Sequence, residues 1–354
     1  DTTARVSVAS GGTQGNGTSS IASISADGRY VAFDSTASNL VLGDTNGHKD
    51  VFVHDRVTGA TERVSVDSAG AQTNADTDYT SISADGRYVA FHSMATNLVP
   101  GDTNGFTDVF VHDRLTGQTE LVSVDSAGAQ GNAGSGFPYI SADGRYVAFT
   151  SQTNLVPGDT NGIRDAFVHD RLTGQTELVS VDSAGAQANG QADKPSISAD
   201  GRYVAFLSGS NNLVPGDTNG AYDVFVHDRV TGATERVSVD SAGAQGNDNS
   251  NSNFPSSISG DGRYVAFDST ASNLVPGDTN GAYDVFVRDR CPDGSCGGTP
   301  TVTPTPVPPV VVLVHGIDPL HTDGNKCNMD GIRAFLNNKA NTGDVQFRTD
   351  CQIY

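Results

Sequence analysis

Apolar and polar positions recur along this chain in a phrase of about 58 residues, written five times. Residues 79–125 serve as a specimen. Tyr79–Ser83 is short, rich in small residues and ends at the Asp85-Gly86 pair, a strong hairpin signal. Arg87–Ser93 is apolar on both faces through its middle, the pattern of a strand sandwiched between two neighbouring sheets. Asp108–Asp113 alternates Val109 and Val111 against Phe110 and His112. A Thr116-Gly117 turn leads to Thr119–Asp125, apolar only at alternate positions, as on a half-exposed outer strand. Four strands per unit, small residues innermost and polar ones outermost, predict a propeller blade.

The count predicts closure. Thr2–Ala9 (TTARVSVA) matches the outer-strand phrase TERVSVD, and the fifth repeat ends at Arg290 without an outer strand of its own. The expected fold is therefore all-β: a five-bladed β-propeller of four-stranded antiparallel blades, residues 1–290, closed by the N-terminal strand so that no edge stays unpaired. An open five-unit solenoid would leave two raw ends. Residues 291–309 read as a cysteine-containing Thr/Pro-rich linker, and 310–354 as an incomplete α/β-hydrolase-like segment.

The phrase Ser-Ala-Asp-Gly-Arg-Tyr-Val-Ala-Phe stands four times, and once with Gly in place of Ala, over residues 21–290. It resembles the TolB-type propeller repeat. That resemblance implies fold strongly and function weakly, since such propellers serve both as periplasmic scaffolds and as domains attached to peptidases.

Each repeat also carries Asp-Thr-Asn-Gly, with a second Asp three residues after the Gly: Asp44/Asn46/Asp50, Asp102/Asn104/Asp108, Asp159/Asn161/Asp165, Asp217/Asn219/Asp223 and Asp278/Asn280/Asp284. In a four-stranded blade these loops, between strands two and three, crown one face. The spacing matches the middle and end of an EF-hand-like loop, in which alternate oxygens face a calcium ion. The first acidic ligand of that loop is missing, so carbonyls, water or a distant Asp would complete the shell. An Asx-type turn explains the Asp-Thr-Asn-Gly part equally well but leaves the second Asp without a role. Structural Ca2+ at these fifteen residues is the expectation. His54, His112, His169 and His227 share one blade position and cannot converge on one metal. Arg29 and Asp55, with their equivalents, are expected to tie hairpins together as local ion pairs.

A formal charge of -20 and a pI near 4.5 repel phosphate backbones and anionic membranes, so nucleic acid is excluded as a partner class. There is no apolar run of membrane-spanning length. Cys291, Cys296, Cys327 and Cys351 all follow the last repeat and are read as two disulfides, Cys291–Cys296 closing a short turn and Cys327–Cys351 a longer loop, the alternatives being free thiols or a metal site at the two close cysteines. Asp1 reads as the processed N-terminus of a secreted protein. Pro309–Pro319 (PVVVLVHGIDP) resembles the start of a lipase-type α/β hydrolase, but no Gly-x-Ser-x-Gly nucleophile occurs and no triad can be assembled. The expected function is thus a secreted, acidic, calcium-stabilised binding or scaffold module, taking a protein or carbohydrate on the loop face. The alternatives are the accessory propeller of a truncated lipase-like hydrolase, and an extracellular fibre subunit that self-associates through its tail strand.

Overall fold

The computed structural model describes residues 2–250 and 256–291, all within the first of two units, Asp1–Thr301. The lipase-like segment, the linker after Cys291, the tail and three of the four cysteines lie outside the described residues.

Five antiparallel sheets follow one another in chain order. Blade 1 is β1 (Ser19–Ile24), β2 (Tyr30–Ser35), β3 (Asp50–Asp55) and β4 (Thr61–Arg63). Blade 2 is β5 (Thr77–Ile82), β6 (Tyr88–Ser93), β7 (Asp108–Asp113) and β8 (Gln118–Leu121). Blade 3 is β9 (Ser135–Ile140), β10 (Tyr146–Ser151), β11 (Asp165–Asp170) and β12 (Gln175–Leu178). Blade 4 is β13 (Ala192–Ile197), β14 (Tyr203–Ser208), β15 (Asp223–Asp228) and β16 (Ala233–Arg236). Blade 5 has three strands among the described residues, β17 (Ser257–Ile258), β18 (Tyr264–Ser269) and β19 (Asp284–Asp289). The fold is an all-β five-bladed propeller.

Packing explains the order within a blade. Each third strand of blades 1–4 is buried along its whole length, because apolar side chains on both of its faces meet neighbouring sheets. Ala32, Val51 and Val53 of blade 1 pack with Ile82, Val89 and Phe91 of blade 2 in one cluster. Inside each blade the second and third strands pair a phenylalanine from each, as with Phe91 and Phe110, whose rings lie 6.0 Å apart. Outer strands alternate exposed and buried positions, as their sequence requires. They are shorter than their apolar pattern suggests: β8 stops at Leu121 because Ser123 turns inward to bond Asp108.

The closing strand differs from expectation. Residues 2–9 form no strand and make one β-bridge, Val8–Gln14, so among the described residues no strand pairs with the outer edge of β19. Val285 and Val287 on that strand are 79% and 66% exposed, whereas their counterparts Val109 and Val111 are fully buried.

Candidate functional site

The Asp-Thr-Asn-Gly loops all lie between the second and third strands, on one face of the blades. Asn46 closes the turn by accepting the backbone N–H of His48, and Gly47 takes the positive φ of 73° that a side chain would resist. The second Asp is a buried anchor. Asp50 Oδ1 accepts the Ser65 hydroxyl at 2.5 Å, and Oδ2 accepts the Asn46 amide at 3.0 Å. Asp108, Asp165 and Asp223 accept Ser123, Ser180 and Ser238 in the same way. Each therefore ties a loop to the chain leaving the outer strand. Burial pushes all four carboxyls above the ordinary carboxylate value, against the pull of these hydrogen bonds.

What lies between the two carboxylates divides the blades. In blade 1, Arg63 Nη1 sits 3.2 Å from Asp44 and 3.5 Å from Asp50. In blade 4, Arg236 bridges Asp217 and Asp223 at the same two distances. A guanidinium there supplies the positive charge and fills the space. Of the five loops expected to hold calcium, those of blade 1 (Asp44, Asn46, Asp50) and blade 4 (Asp217, Asn219, Asp223) thus bring an arginine between their two carboxylates. Asn219 is instead a structural clasp. Its side-chain N–H2 donates to Asp223 at 2.8 Å and to the Gly246 carbonyl at 2.9 Å, and its oxygen accepts the Ala221 N–H at 3.0 Å. Asn46 is committed in the same way, to Asp50, Thr73 and His48.

Blades 2 and 3 carry Leu121 and Leu178 in the register of Arg63. There the Gln130 side-chain N–H2 donates to Asp102 at 2.7 Å and to Asp108 at 2.9 Å, and Gln187 does the same for Asp159 and Asp165. Among the described residues no side-chain cation balances either pair. Asp102 and Asp159 are 5% and 3% exposed, and each has an Oδ2 without a hydrogen-bond partner. Asp217 Oδ2 shares that condition despite Arg236, so it is the missing cation that sets blades 2 and 3 apart. Asn104 is committed as Asn219 is, donating to Asp108 at 2.9 Å and to the Gly131 carbonyl at 3.0 Å and accepting the Phe106 N–H at 2.8 Å, and Asn161 bonds the Ala188 carbonyl and the Ile163 N–H in the same way, which leaves the Oδ2 atoms of Asp102 and Asp159 without a hydrogen-bond partner. In blade 5, Asn280 reaches Asp284 at 2.8 Å, and the described sheet has no outer strand to bring an arginine or serine to Asp278 and Asp284. Among the described residues no group of three or more His, Cys, Asp or Glu converges.

The remaining expected residues are structural. His54, His112, His169 and His227 each hydrogen-bond the threonine opposite through Nδ1. Arg29, Arg87, Arg145, Arg202 and Arg263 each form a two-pronged pair with the aspartate ending the third strand, on the face opposite the loops.

A second site emerges from differences between repeats. The second strands read YVAFxS throughout, with x being Asp34, His92, Thr150, Leu207 and Asp268. The residues just before the third strand also vary, among them Lys49, Thr107, Arg164, Tyr222 and Tyr283, as do the first halves of the inner strands. The fold gathers these positions at the inner edge of the loop face. Ser20 Oγ bonds Asp34 at 2.5 Å, Lys49 pairs with Asp78, and Arg164 meets Asp193 at 2.6 Å. The Tyr79 ring lies 5.0 Å from His92 and 4.6 Å from Phe137. A cavity of about 210 Å³ opens among His92, Thr107, Gly136, Phe137, Thr150 and Arg164.

The backbone is strained at the same place. Ile21, Tyr79, Phe137 and Lys194 hold φ between 40° and 54°, each beside a bulge in its inner strand. Bulky L-residues resist that region and hold it only where the surroundings impose it. Lys49 pairs with Asp78, and Arg164 pairs with Asp193. Asp34 Oδ2 has no hydrogen-bond partner but lies 4.0 Å from Lys49 Nζ, and neither carboxylate oxygen of Asp268 has a hydrogen-bond partner. Burial raises the Asp34 carboxyl and holds the His92 ring neutral, with its pKa lowered to about 4.

Known proteins add the following. No protein-family profile matches the chain, and no curated protein matches it. The chain is similar to the structure of TolB from Acinetobacter baumannii at 17% identity and a TM-score of 0.44, over 77% of this chain and 55% of that one. It thus spans about half the length of that protein. A putative TolB from Agrobacterium tumefaciens gives 17% identity and a TM-score of 0.47, over 77% and 78% of the two chains. The propeller domain of the trilobed protease from Pyrococcus furiosus, described as having an open velcro topology, gives 11% and 0.45, over 77% and 69%. At such identities and scores the likeness assigns no residue a role, and the five-bladed architecture rests on the sheets themselves.

Proposed function

We propose that this chain is a secreted, non-catalytic binding module that takes a basic segment of a polypeptide at the inner edge of its loop face. Calcium held in blades 2 and 3 stiffens that face. The observation that carries the reading is where the repeats differ: blades nearly identical in their core strands diverge at one contiguous surface. A residue needed only for packing has the same neighbours in every blade and has no cause to change. The divergent surface combines aromatic rings, the buried carboxylates of Asp34 and Asp268 and imposed backbone strain, which suits cationic side chains with apolar stems. Asp102, Asn104, Asp108 and Gln130, with Asp159, Asn161, Asp165 and Gln187, would hold the two ions, whose charge offsets that of the paired carboxylates. Secretion is supported by the acidic surface and by cysteines confined to the region after the last repeat.

The test is equilibrium binding of short Lys/Arg-containing peptides and of neutral oligosaccharides to the wild type and to an Asp34→Asn/Tyr79→Ala variant. Saturable peptide binding that the double substitution weakens at least tenfold supports the reading. Binding confined to oligosaccharides, or equal binding by the variant, overturns it.

A further inference from the structure

Two of the seams between blades are closed at their inner edge by the same device. Lys49, just before β3, pairs with Asp78, the second residue of β5 in the next blade. Arg164, just before β11, pairs with Asp193, the second residue of β13, at 2.6 Å. The seam of blades 2 and 3 lies between these two and has neither partner. Thr107 stands in the register of Lys49 and Arg164, and Gly136 in that of Asp78 and Asp193. The cavity of about 210 Å³ opens there, where the ion pair of the adjoining seams is missing. Glycine keeps it open on one side. A Cβ at Gly136 would lie 2.7 Å from His92 Nδ1, so a side chain there would have to displace the ring.

The chemistry of the wall selects a ligand. The chain has 41 Asp and Glu residues, yet among the described residues none lines this cavity, whereas Arg164 does. Arg164 is held on one side only. Its Nη1 donates to Asp193, the single hydrogen bond of its side chain among the described residues, in contrast to the two-pronged pairs of Arg87 and Arg202. The remaining guanidinium N–H groups suit a carboxylate, which accepts charge-assisted hydrogen bonds from them. His92 adds a donor. Its neutral ring accepts the Phe137 N–H at Nδ1, at 3.4 Å, so the ring proton is on Nε2. The Thr107 hydroxyl stands at the same wall. At about 210 Å³ the space is below the ~300–1,000 Å³ that encloses a whole small ligand, so it suits one end of a longer one.

We propose that this cavity takes the C-terminal carboxylate of the basic polypeptide segment bound at the loop face, with Arg164 as its counter-charge and His92 Nε2 and Thr107 as further donors. The inference rests on the peptide-binding reading above and gives it a direction. The segment ends at the seam of blades 2 and 3, its last side chain lies against Phe137, and its basic residues run past Tyr79 toward Asp34 of blade 1. A segment in the middle of a chain has no carboxylate to offer at that point, so the partner is recognised by its terminus.

Equilibrium binding to the full chain tests this, with pairs of short Lys/Arg-containing peptides identical except for a free carboxylate or an amide at the C-terminus. The free acid should bind about tenfold or more tightly than the amide, the worth of one charge-assisted pair. Arg164→Gln should bring that ratio close to one. Thr150→Asp supplies a second readout, because Asp34 and Asp268 show that this strand register accepts an aspartate. Its carboxylate in the cavity wall should abolish the preference for the free acid. Equal affinity of the wild type for the two forms overturns this inference and leaves the peptide reading standing. So does a preference that survives either substitution. If neither form binds the wild type, the inference and the peptide reading fall together.

Discussion

If blades 2 and 3 hold the proposed calcium ions, replacing Leu121 and Leu178 by arginine should convert them into the chemistry of blades 1 and 4 and remove the dependence on metal. The two leucines hold the register of Arg63, so a guanidinium from either position reaches the space between its pair of carboxylates. Both carboxylates of blade 2 bond one Gln130 nitrogen, at 2.7 and 2.9 Å, which puts their nearest oxygens within a few ångströms of each other. At a separation of ~5 Å and an effective dielectric of ~20, two unit charges repel by about 3 kcal/mol. Proton uptake by Asp108, whose carboxyl burial raises, relieves part of that when the ion is removed. A loss of about 2 kcal/mol per blade remains, and a domain of this size loses ~2–4 °C per kcal/mol, so chelation should lower the wild-type Tm by about 10 °C. The leucines contribute modest packing, since Leu121 only flanks its apolar cluster, and an arginine stem covers much of the same surface. Thermal melts with and without excess chelator are the assay. The double variant should melt at the same temperature in both, and either single variant should show half the wild-type shift. A wild type indifferent to chelator, or a double variant as sensitive as the wild type, refutes the reasoning.

Further outcomes follow from the same geometry. Hydrogen bonds from Arg29, Arg87 and Arg145 hold Asp55, Asp113 and Asp170 well below the usual carboxylate range. The stability they contribute is present above pH ~4 and lost as pH falls through the folded values. Arg87→Ala should cost about 1 kcal/mol in urea titration at pH 7, discounted for an arginine 34% exposed, and should make the acid limb shallower. Burial lowers His92 to about 4 and also lowers His112, His169 and His227. The unfolded chain therefore binds more protons below pH ~6.5, and stability should fall between there and pH 4. His92→Thr, the residue of blade 3, should flatten that slope. Phe91→Ala removes a fully buried ring stacked on Phe110 and should cost about 3–5 kcal/mol in the same titration. An effect under 1 kcal/mol would mean that the blade interface is loosely packed.

The parts of this molecule legible in sequence are those that repeat. YVAFHS and DVFVHD carry their burial in their own composition, so strand order and blade number follow from five similar copies. The Arg29–Asp55 type of pair was legible because one hairpin geometry brings its two members together. The role of Asp50 was not, since its partner Ser65 lies 15 residues onward and across a strand, a distance along the chain that says nothing about contact. The distinction between Arg63 and Leu121 was written in the sequence from the start, but it gains meaning only once the outer strand is seen to turn that position toward the loop. Without that turn, Asn219 and Asn104 look like the same ligand, although only Asn104 stands beside a carboxylate pair that no arginine bridges. The proposed binding surface was hidden for a related reason. Shared words identify what every blade needs in order to pack, whereas Asp34, His92, Tyr79 and Phe137 stand where the words disagree. In a repeat protein the common core is explained by packing alone, so departures from the repeat, once gathered by the fold at one place, carry the information about function.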